Sequence, residues 1–114
     1  MKFNQFEEII AWQKSKELVL QTYKAFDGLR DFSFRDQIRR AAVSVINNIA
    51  EGFERKSNKE FKQFLYISKG SCGEVRSMLC IAKELGYISE KSYGILYEKC
   101  IEISRMLSGL IKTL

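Results

Sequence analysis

The chain has 114 residues, 46% of them hydrophobic and 29% charged, which is the balance of a single soluble globular domain and excludes a disordered chain. No apolar run approaches the roughly 20 residues that cross a bilayer, and the N-terminus lacks a signal peptide's apolar core, so we expect a cytoplasmic protein with no membrane partner. The net charge of +5 permits an anionic partner but does not require one.

The first amphipathic segment predicts a helix from about Phe6 to Phe26, ended by the stop signal Asp27-Gly28. Its expected core stripe follows the helical repeat: Ile9, Trp12, Val19, Tyr23 and Phe26. Three apolar residues lie away from this stripe and are candidates for a second buried surface: Ile10, Leu18 and Leu20.

The second predicted helix has Ser33 as its N-cap and continues to about Arg55. Its apolar face predicts these core residues: Ile38, Ala41, Ala42, Val45, Ile49 and Phe53. The opposite face carries a polar row: Arg40, Ser44, Asn47, Asn48 and Glu51. A weaker apolar strip between these faces is a candidate for a second packing contact, at an oligomer interface: Val43, Ile46 and Ala50. Gly52 marks either the end of the helix or a close contact with a neighbouring helix, and the sequence leaves both open.

Two further helices are predicted. Ser57 and Glu60 form a capping box before the third helix, which Gly86 ends, and Ser89 caps the fourth helix. The core face of the third helix is expected at Phe61, Phe64, Leu65, Ser68, Cys72, Val75, Leu79, Ala82 and Leu85. That of the fourth is expected at Tyr93, Leu96, Tyr97, Cys100, Ser104, Leu107, Ile111 and Leu114. Because short connections make consecutive helices antiparallel, residues 1–114 are predicted to form one all-α domain, an antiparallel up-down-up-down four-helix bundle.

The composition offers little support for catalysis or for metal binding. The chain has no histidine, which removes the commonest general base and the commonest metal ligand. The three cysteines have no metal-ligand spacing and are expected to stay reduced, with Cys72 and Cys100 in the core. We therefore expect a protein that is not an enzyme and holds no cofactor and no metal. An active site made only from Arg40, Ser44 and Glu51 is the less favoured alternative.

The polar row of the second helix has two interpretations. Arg40 and Glu51 are eleven residues apart, about 16 Å along the axis, so each needs a partner on another helix or another subunit. In the first interpretation the row makes internal hydrogen bonds or subunit contacts. In the second it is a contact surface for nucleic acid or protein, where Arg40 and the nearby Arg35 and Arg39 meet phosphate.

The same helix resembles a family motif. In the small four-helix-bundle proteins encoded within intervening sequences of bacterial 23S rRNA genes, the motif is close to Gln-x-x-Arg-Ala-x-x-Ser-h-x-x-Asn-Ile-Ala-Glu-Gly, where h is apolar. This chain matches it at Gln37, Arg40, Ala41, Ser44, Val45, Asn48, Ile49, Ala50, Glu51 and Gly52. Further pieces agree in order along the chain: Trp12, Phe61 to Leu65, Gly70-Ser71, Glu74, Leu85 to Ile88, and Met106 to Leu110. Ile46 stands where the family usually has Pro, so a kink expected in relatives is expected to be straightened here.

The resemblance implies a function. Similar proteins form ring-shaped homopentamers, and a related bundle, the accessory protein of diversity-generating retroelements, forms a pentamer that binds nucleic acid and a reverse transcriptase. This chain is therefore expected to be a non-catalytic homopentamer that binds RNA or DNA, above all structured RNA or its protein complex. The expected residues are Arg35, Arg39 and Arg40 for nucleic acid, Ser44, Asn48 and Glu51 as a polar contact strip, and Val43, Ile46 and Ala50 for assembly. The alternative is a protein-interaction or assembly module with no nucleic-acid partner.

Overall fold

Residues 3–114 are described by a computed structural model of the chain; Met1 and Lys2, which belong to the predicted domain, lie outside the described residues. A short 3₁₀ turn and four α-helices follow one another: the turn Phe6–Glu8, then α1 (Ile10–Ala25), α2 (Phe32–Phe53), α3 (Asn58–Glu84) and α4 (Glu90–Lys112). Residues 3–114 contain no strand. Each helix packs against its chain neighbour and α1 also packs against α4, which closes the predicted four-helix bundle and confirms the all-α fold.

Contacts between α2 and α3, and between α3 and α4, follow an antiparallel register, in which residue numbers fall along one helix as they rise along the next. The pairs that join α3 to α4 are Cys80 with Tyr93, Arg76 with Tyr97, and Cys72 with Cys100. The connections are short, spanning residues 26–31, 54–57 and 85–89. Within residues 3–114, none of the helices combines the length and the apolar character that a bilayer crossing needs.

The N-terminus of α2 differs from the prediction, because Asp31 and not Ser33 is its N-cap. The Asp31 Oδ1 atom accepts a hydrogen bond from the Phe34 amide at 3.1 Å, whereas Ser33 already lies inside the helix. The second carboxylate oxygen of Asp31 accepts a hydrogen bond from the Tyr87 hydroxyl at 2.7 Å. The cap therefore also ties the start of α2 to the connection between α3 and α4.

The predicted starts of α3 and α4 and the predicted ends of α1 and α2 are close to the observed ones. The Ser57 hydroxyl caps α3 by accepting from the Glu60 amide at 3.2 Å, and Ser89 caps α4 in the same way. The Ser57 hydroxyl also donates to the Glu60 carboxylate at 3.4 Å. Glu60 thus reaches back to the Ser57 side chain and not to the Ser57 backbone amide that a full capping box would use. Gly28 and Gly86 adopt positive φ after α1 and α3, as their stop signals predict.

The predicted core stripe of α1 is partly wrong. The α-helix begins at Ile10 and not at Phe6, and its buried residues are Ala11, Ser15, Leu18 and Thr22. Tyr23 is 42% exposed, and Trp12 and Val19 are only half-buried at the rim of the core. Leu18, predicted to lie on a second surface, is fully buried. The prediction failed because small and hydroxyl side chains, which hydropathy counts as neutral, form most of the buried face of α1. Ser15 can be buried because its hydroxyl donates to the Ala11 carbonyl at 2.7 Å.

The cores of α2, α3 and α4 agree better with the sequence. Five of the predicted α2 residues are buried, and Phe53 is half-buried: Ile38, Ala41, Ala42, Val45 and Ile49. Met78 and Ile103 were missed as core residues, while Leu85 was predicted as core but is 54% exposed. The prediction that Cys72 and Cys100 are core residues is confirmed, and both thiols are free. The pKa of Cys100 is raised: hydrogen bonding with Cys72 is the largest cause, and burial is the next.

Gly52 is buried at a place where α2 and α3 are in close contact. A Cβ atom at this position would lie 2.6 Å from the Phe64 Cβ and 3.0 Å from a ring carbon of Phe61. Both alternatives given by the sequence therefore hold. Gly52 lies at the end of α2, one residue before its last residue, and it permits the close approach of α3.

Gly52→Ala is expected to lower the free energy of unfolding. Overpacking costs about 1–3 kcal/mol, which exceeds the gain of about 1 kcal/mol in helix propensity. The matched control is Gly70→Ala in α3, where a Cβ would meet nothing within 4 Å and stability is expected to rise. Urea unfolding of both variants measures the difference, and a Gly52→Ala protein as stable as Gly70→Ala would contradict the close contact.

The Asp31–Tyr87 contact predicts a dependence on pH. The hydrogen bond from Tyr87, with that from the Phe34 amide, lowers the pKa of Asp31. The stabilisation is therefore fully present above the ordinary aspartate pKa of about 4 and is lost as the pH falls through the folded value. Tyr87→Phe is expected to raise the Asp31 pKa in an NMR titration. The variant should also have a lower free energy of unfolding than wild type at neutral pH, and this difference should become smaller in acid. Tyr66→Phe, at an exposed tyrosine, is the control; an unchanged Asp31 pKa in Tyr87→Phe would refute the account.

Candidate nucleic-acid and assembly surfaces

The α2 helix presents three surfaces, as the sequence predicts. Its core face is buried, and its two flanks are turned toward α1 and α3. Val43, Ile46 and Ala50 lie on the α1 flank and are half-buried. Ser44 of the polar row turns toward α3, whereas Arg40 lies on the outer face and lines one depression with Val43. The two predicted contact regions therefore adjoin at Arg40.

The middle of the polar row is used inside the subunit. The Ser44 and Ser71 hydroxyls share a hydrogen bond of 2.7 Å that joins α2 to α3. The Asn48 amide nitrogen donates to the Ser44 carbonyl at 2.8 Å and to its hydroxyl at 3.0 Å. Glu51 is exposed and has no hydrogen bond or ion pair with any described residue. The polar contact strip is thus divided into two structural residues and one exposed acid.

Two of the three predicted nucleic-acid-binding arginines are already engaged. Arg35 pairs with Asp36 at 3.2 Å, and its guanidinium lies 4.8 Å from the Phe32 ring centroid. Arg39 donates to the Tyr23 carbonyl at 3.0 Å and stacks 4.5 Å from the centroid of the same residue's ring. The Arg39 Nε atom is buried without a hydrogen-bond partner among the described residues. Arg39 therefore clamps α1 to α2.

Arg40 is the third arginine, and it is exposed. It has no hydrogen bond, ion pair or ring contact with any residue between 3 and 114. It borders an open cleft of about 540 Å³ between the start of α2 and the middle of α3, lined by Ser33, Asp36, Gln37, Arg40, Ala41, Ser44 and Glu74. Because two carboxylates line it with the arginine, this cleft offers both donors and acceptors of hydrogen bonds.

The α1 flank of α2 continues into an exposed apolar surface. Tyr23 and Val43 line one shallow depression of about 350 Å³ together with Asp36, Arg39 and Arg40. Leu20, one helical turn before Tyr23, is 61% exposed. We call Leu20, Tyr23, Val43, Ile46 and Ala50 the apolar strip. Leu18 does not belong to it, because that side chain lies in the core.

Comparison with known proteins decides the identity. The family model of the 23S rRNA-intervening sequence protein matches residues 7–109. The chain belongs to this family. A crystal structure of a protein of unknown function from Bacteroides thetaiotaomicron, of the S23 ribosomal protein family, superposes with a TM-score of 0.83 at 23% identity, covering 90% of this chain and 96% of that one. At this identity the likeness shows the shared fold alone. No curated protein matches the chain significantly.

The fold explains most of the residues by which the chain resembles the 23S rRNA-intervening sequence proteins. The apolar positions and Gly52 of the motif pack in the core or against a neighbouring helix. Ser44 and Asn48 form hydrogen bonds inside the subunit. Arg40 and Glu51 are the charged residues of the motif, and both are exposed without a partner among the described residues. Ile46 replaces the usual Pro, and α2 is unbroken through this position, from Phe32 to Phe53.

A second basic surface of this family member was missed by the sequence analysis. Four cations of α3 follow one another at seven-residue steps and share the flank that faces α4: Lys62, Lys69, Arg76 and Lys83. Arg76 lies 5.4 Å from the Tyr97 ring centroid, and Lys83 Nζ lies 3.7 Å from a Glu90 carboxylate oxygen. The other two have no acidic partner in the described chain. The seven-residue spacing of these cations could have revealed the surface in the sequence. The net charge of each predicted helix does not, because it sums over all faces of the helix.

Metal binding has no candidate site in the described part of the chain. No group of three or more histidine, cysteine, aspartate or glutamate side chains is placed to hold an ion there. The exposed thiol of Cys80 lies 3.7 Å from the Tyr93 hydroxyl, and the two other thiols are buried.

Proposed function

We propose that this 23S rRNA-intervening sequence protein is a non-catalytic, cytoplasmic homo-oligomer, a homopentamer, that binds structured RNA or an RNA–protein complex. The observation that carries the proposal is the exposure of Arg40 and Glu51 without a partner among the described residues, within a motif in which most other residues pack or form hydrogen bonds inside the subunit. An exposed charge without a partner contributes little to the fold, so these side chains are free to contact another molecule.

The cleft beside Arg40 suits RNA better than a simple anion. The guanidinium can form paired hydrogen bonds with a phosphate or with a guanine edge. Asp36 and Glu74, which repel phosphate, can accept hydrogen bonds from base amino groups and ribose hydroxyls. A mixed cleft of this kind favours a folded RNA, which presents base edges and hydroxyl groups in loops and bulges.

The apolar strip supports assembly. It places exposed Leu20 and Tyr23 beside the half-buried Val43 on the outside of the α1–α2 pair. A ring is built from head-to-tail contacts that close by rotation, so each subunit would cover this strip with a different surface of its neighbour. Assembly would repeat Arg40 around the ring, and several weak phosphate contacts would then act together.

The alternative is a protein-interaction or assembly module without a nucleic-acid partner, including one that contacts a reverse transcriptase. Two observations favour it: Arg35 and Arg39 are engaged inside the subunit, and two carboxylates lie beside Arg40. The two functions differ in one measurement. A salt-dependent shift of labelled RNA supports the first, and the absence of any shift at low salt supports the second.

Val43→Glu is expected to dissociate the oligomer and to leave the helix content unchanged. The new carboxylate would be desolvated in the contact, although it can reach water in the free subunit. Light scattering gives the mass and circular dichroism the helix content. The control Gln63→Glu adds the same charge at an exposed position of α3. A wild-type protein that remains a 13.3 kDa monomer at micromolar concentration would refute the proposed assembly.

Arg40→Ala is expected to change RNA binding, whereas Arg39→Ala is expected to change stability. Arg40→Ala should weaken RNA binding and lower the salt slope by about one unit, with unchanged stability. Arg39→Ala should lower the free energy of unfolding by about 1 kcal/mol, because it loses a hydrogen bond and a ring contact. Arg30→Ala, at an exposed loop arginine, is the control for charge.

Oligomer mass and RNA affinity are measured on the same samples of these variants. If Arg40→Ala loses its oligomeric state while Arg39→Ala binds RNA normally, Arg40 is a subunit contact and the binding site proposed at the cleft is wrong.

A further inference from the structure

An exposed aromatic ring lies between two of the α3 cations. Lys62 and Lys69 are four residues before and three residues after Tyr66, so all three side chains share one flank of the helix. Tyr66 is 57% exposed, and its ring makes no contact with another ring. The lysines are half-buried, and side chains of this kind cover apolar surface with their aliphatic stems while the ammonium group reaches water.

Acidic side chains do not neutralise this flank. Glu60, the nearest acid along α3, bonds to Arg55 and Ser57 at the beginning of the helix, on the side that faces α2. Neither lysine has an ion pair with any described residue. The charge at these two positions is therefore available to an external anion.

The α4 helix lies beside this flank. The pairs Arg76–Tyr97 and Cys72–Cys100 fix the antiparallel register, and its continuation brings the uncharged Ser104 level with Lys69. Arg105 is exposed on the outer face of α4, where it lines one depression with Glu98 and Glu102, so it is not counted with this surface. The surface thus has two lysines, seven residues or about 10 Å apart along α3, with the Tyr66 ring between them.

We infer that this surface, the Tyr66 surface, binds an unpaired stretch of nucleic acid. An exposed ring between cations is the arrangement that single-stranded nucleic acid uses, because a base stacks on the ring while phosphates on either side contact the cations. A duplex offers phosphates but keeps its bases stacked, so it would leave the ring unused. An acidic protein segment would use the cations and likewise gain little from the ring.

This inference rests on the proposed nucleic-acid binding and adds the class of nucleic acid and a surface distinct from the Arg40 cleft. The two surfaces lie on opposite flanks of α3, since Ser71 and Glu74 face α2 while Lys69 and Arg76 face α4. A folded RNA with an unpaired segment could contact both surfaces in one subunit or in neighbouring subunits.

The test measures fluorescence anisotropy of a labelled oligouridine, an oligothymidine and a hairpin duplex with the same number of phosphates, over a series of salt concentrations. Wild type should prefer the single strands. Tyr66→Ala should bind them about tenfold more weakly, whereas Tyr66→Phe, which keeps the ring, should bind normally. Lys62→Gln with Lys69→Gln should lower the salt slope by about 1.4, the value for two phosphate contacts on a single strand.

The matched control is Lys24→Gln with Lys91→Gln, which removes the same charge from exposed positions at the other end of the bundle and should leave binding nearly unchanged. Circular dichroism confirms that each variant is folded. Normal binding by Tyr66→Ala, a preference for the duplex, or equal competition by polyglutamate would overturn the inference and leave the Arg40 cleft as the site. If wild type binds none of the three nucleic acids at low salt, the proposed function fails as well.

Discussion

The close approach of α2 to α3 is the constraint on which the rest of the molecule depends. Gly52 admits Phe61 and Phe64 at one end of the contact, and the Ser68 hydroxyl, which donates to the Val45 carbonyl at 2.6 Å, holds the middle. The Ser44–Ser71 hydrogen bond lies at the edge of the same seam. Because small or hydrogen-bonded side chains stand at Gly52, Ser44 and Ser68, the two helices pack closely, and this packing leaves Arg40 and Glu51 outside.

Much of the fold could be predicted from the sequence, because three of the helices have strong apolar repeats and clear caps. The α1 helix is the exception. Its inner face contains Ser15 and Thr22, whose burial depends on partners that no periodicity reveals, and its larger apolar residues lie at the rim. Asp31 was missed for a similar reason: its role as a cap depends on Tyr87, which is distant in sequence and adjacent only in the fold.

The candidate surfaces were harder to predict than the fold. The sequence grouped Arg35, Arg39 and Arg40 by their spacing, but spacing does not say which charges are satisfied inside the subunit. Tyr23 lies on another helix, and its carbonyl and ring convert Arg39 from a surface charge into a structural clamp. The Tyr66 surface shows the reverse: Lys62 and Lys69 keep their charges free of any partner in the described part of the subunit, which their spacing alone does not reveal.

The construction of α1 has a consequence for how the bundle opens. The face that α1 buries consists mostly of small side chains, the Thr22 hydroxyl is buried without a hydrogen-bond partner among the described residues, and the ion pair from Glu17 to Lys99 that joins α1 to α4 lies at the surface. Little apolar area and few buried polar contacts thus oppose its release, whereas α2, α3 and α4 share the larger part of the core. We therefore expect the first helix to be the least protected unit against amide hydrogen exchange and to detach before the others unfold.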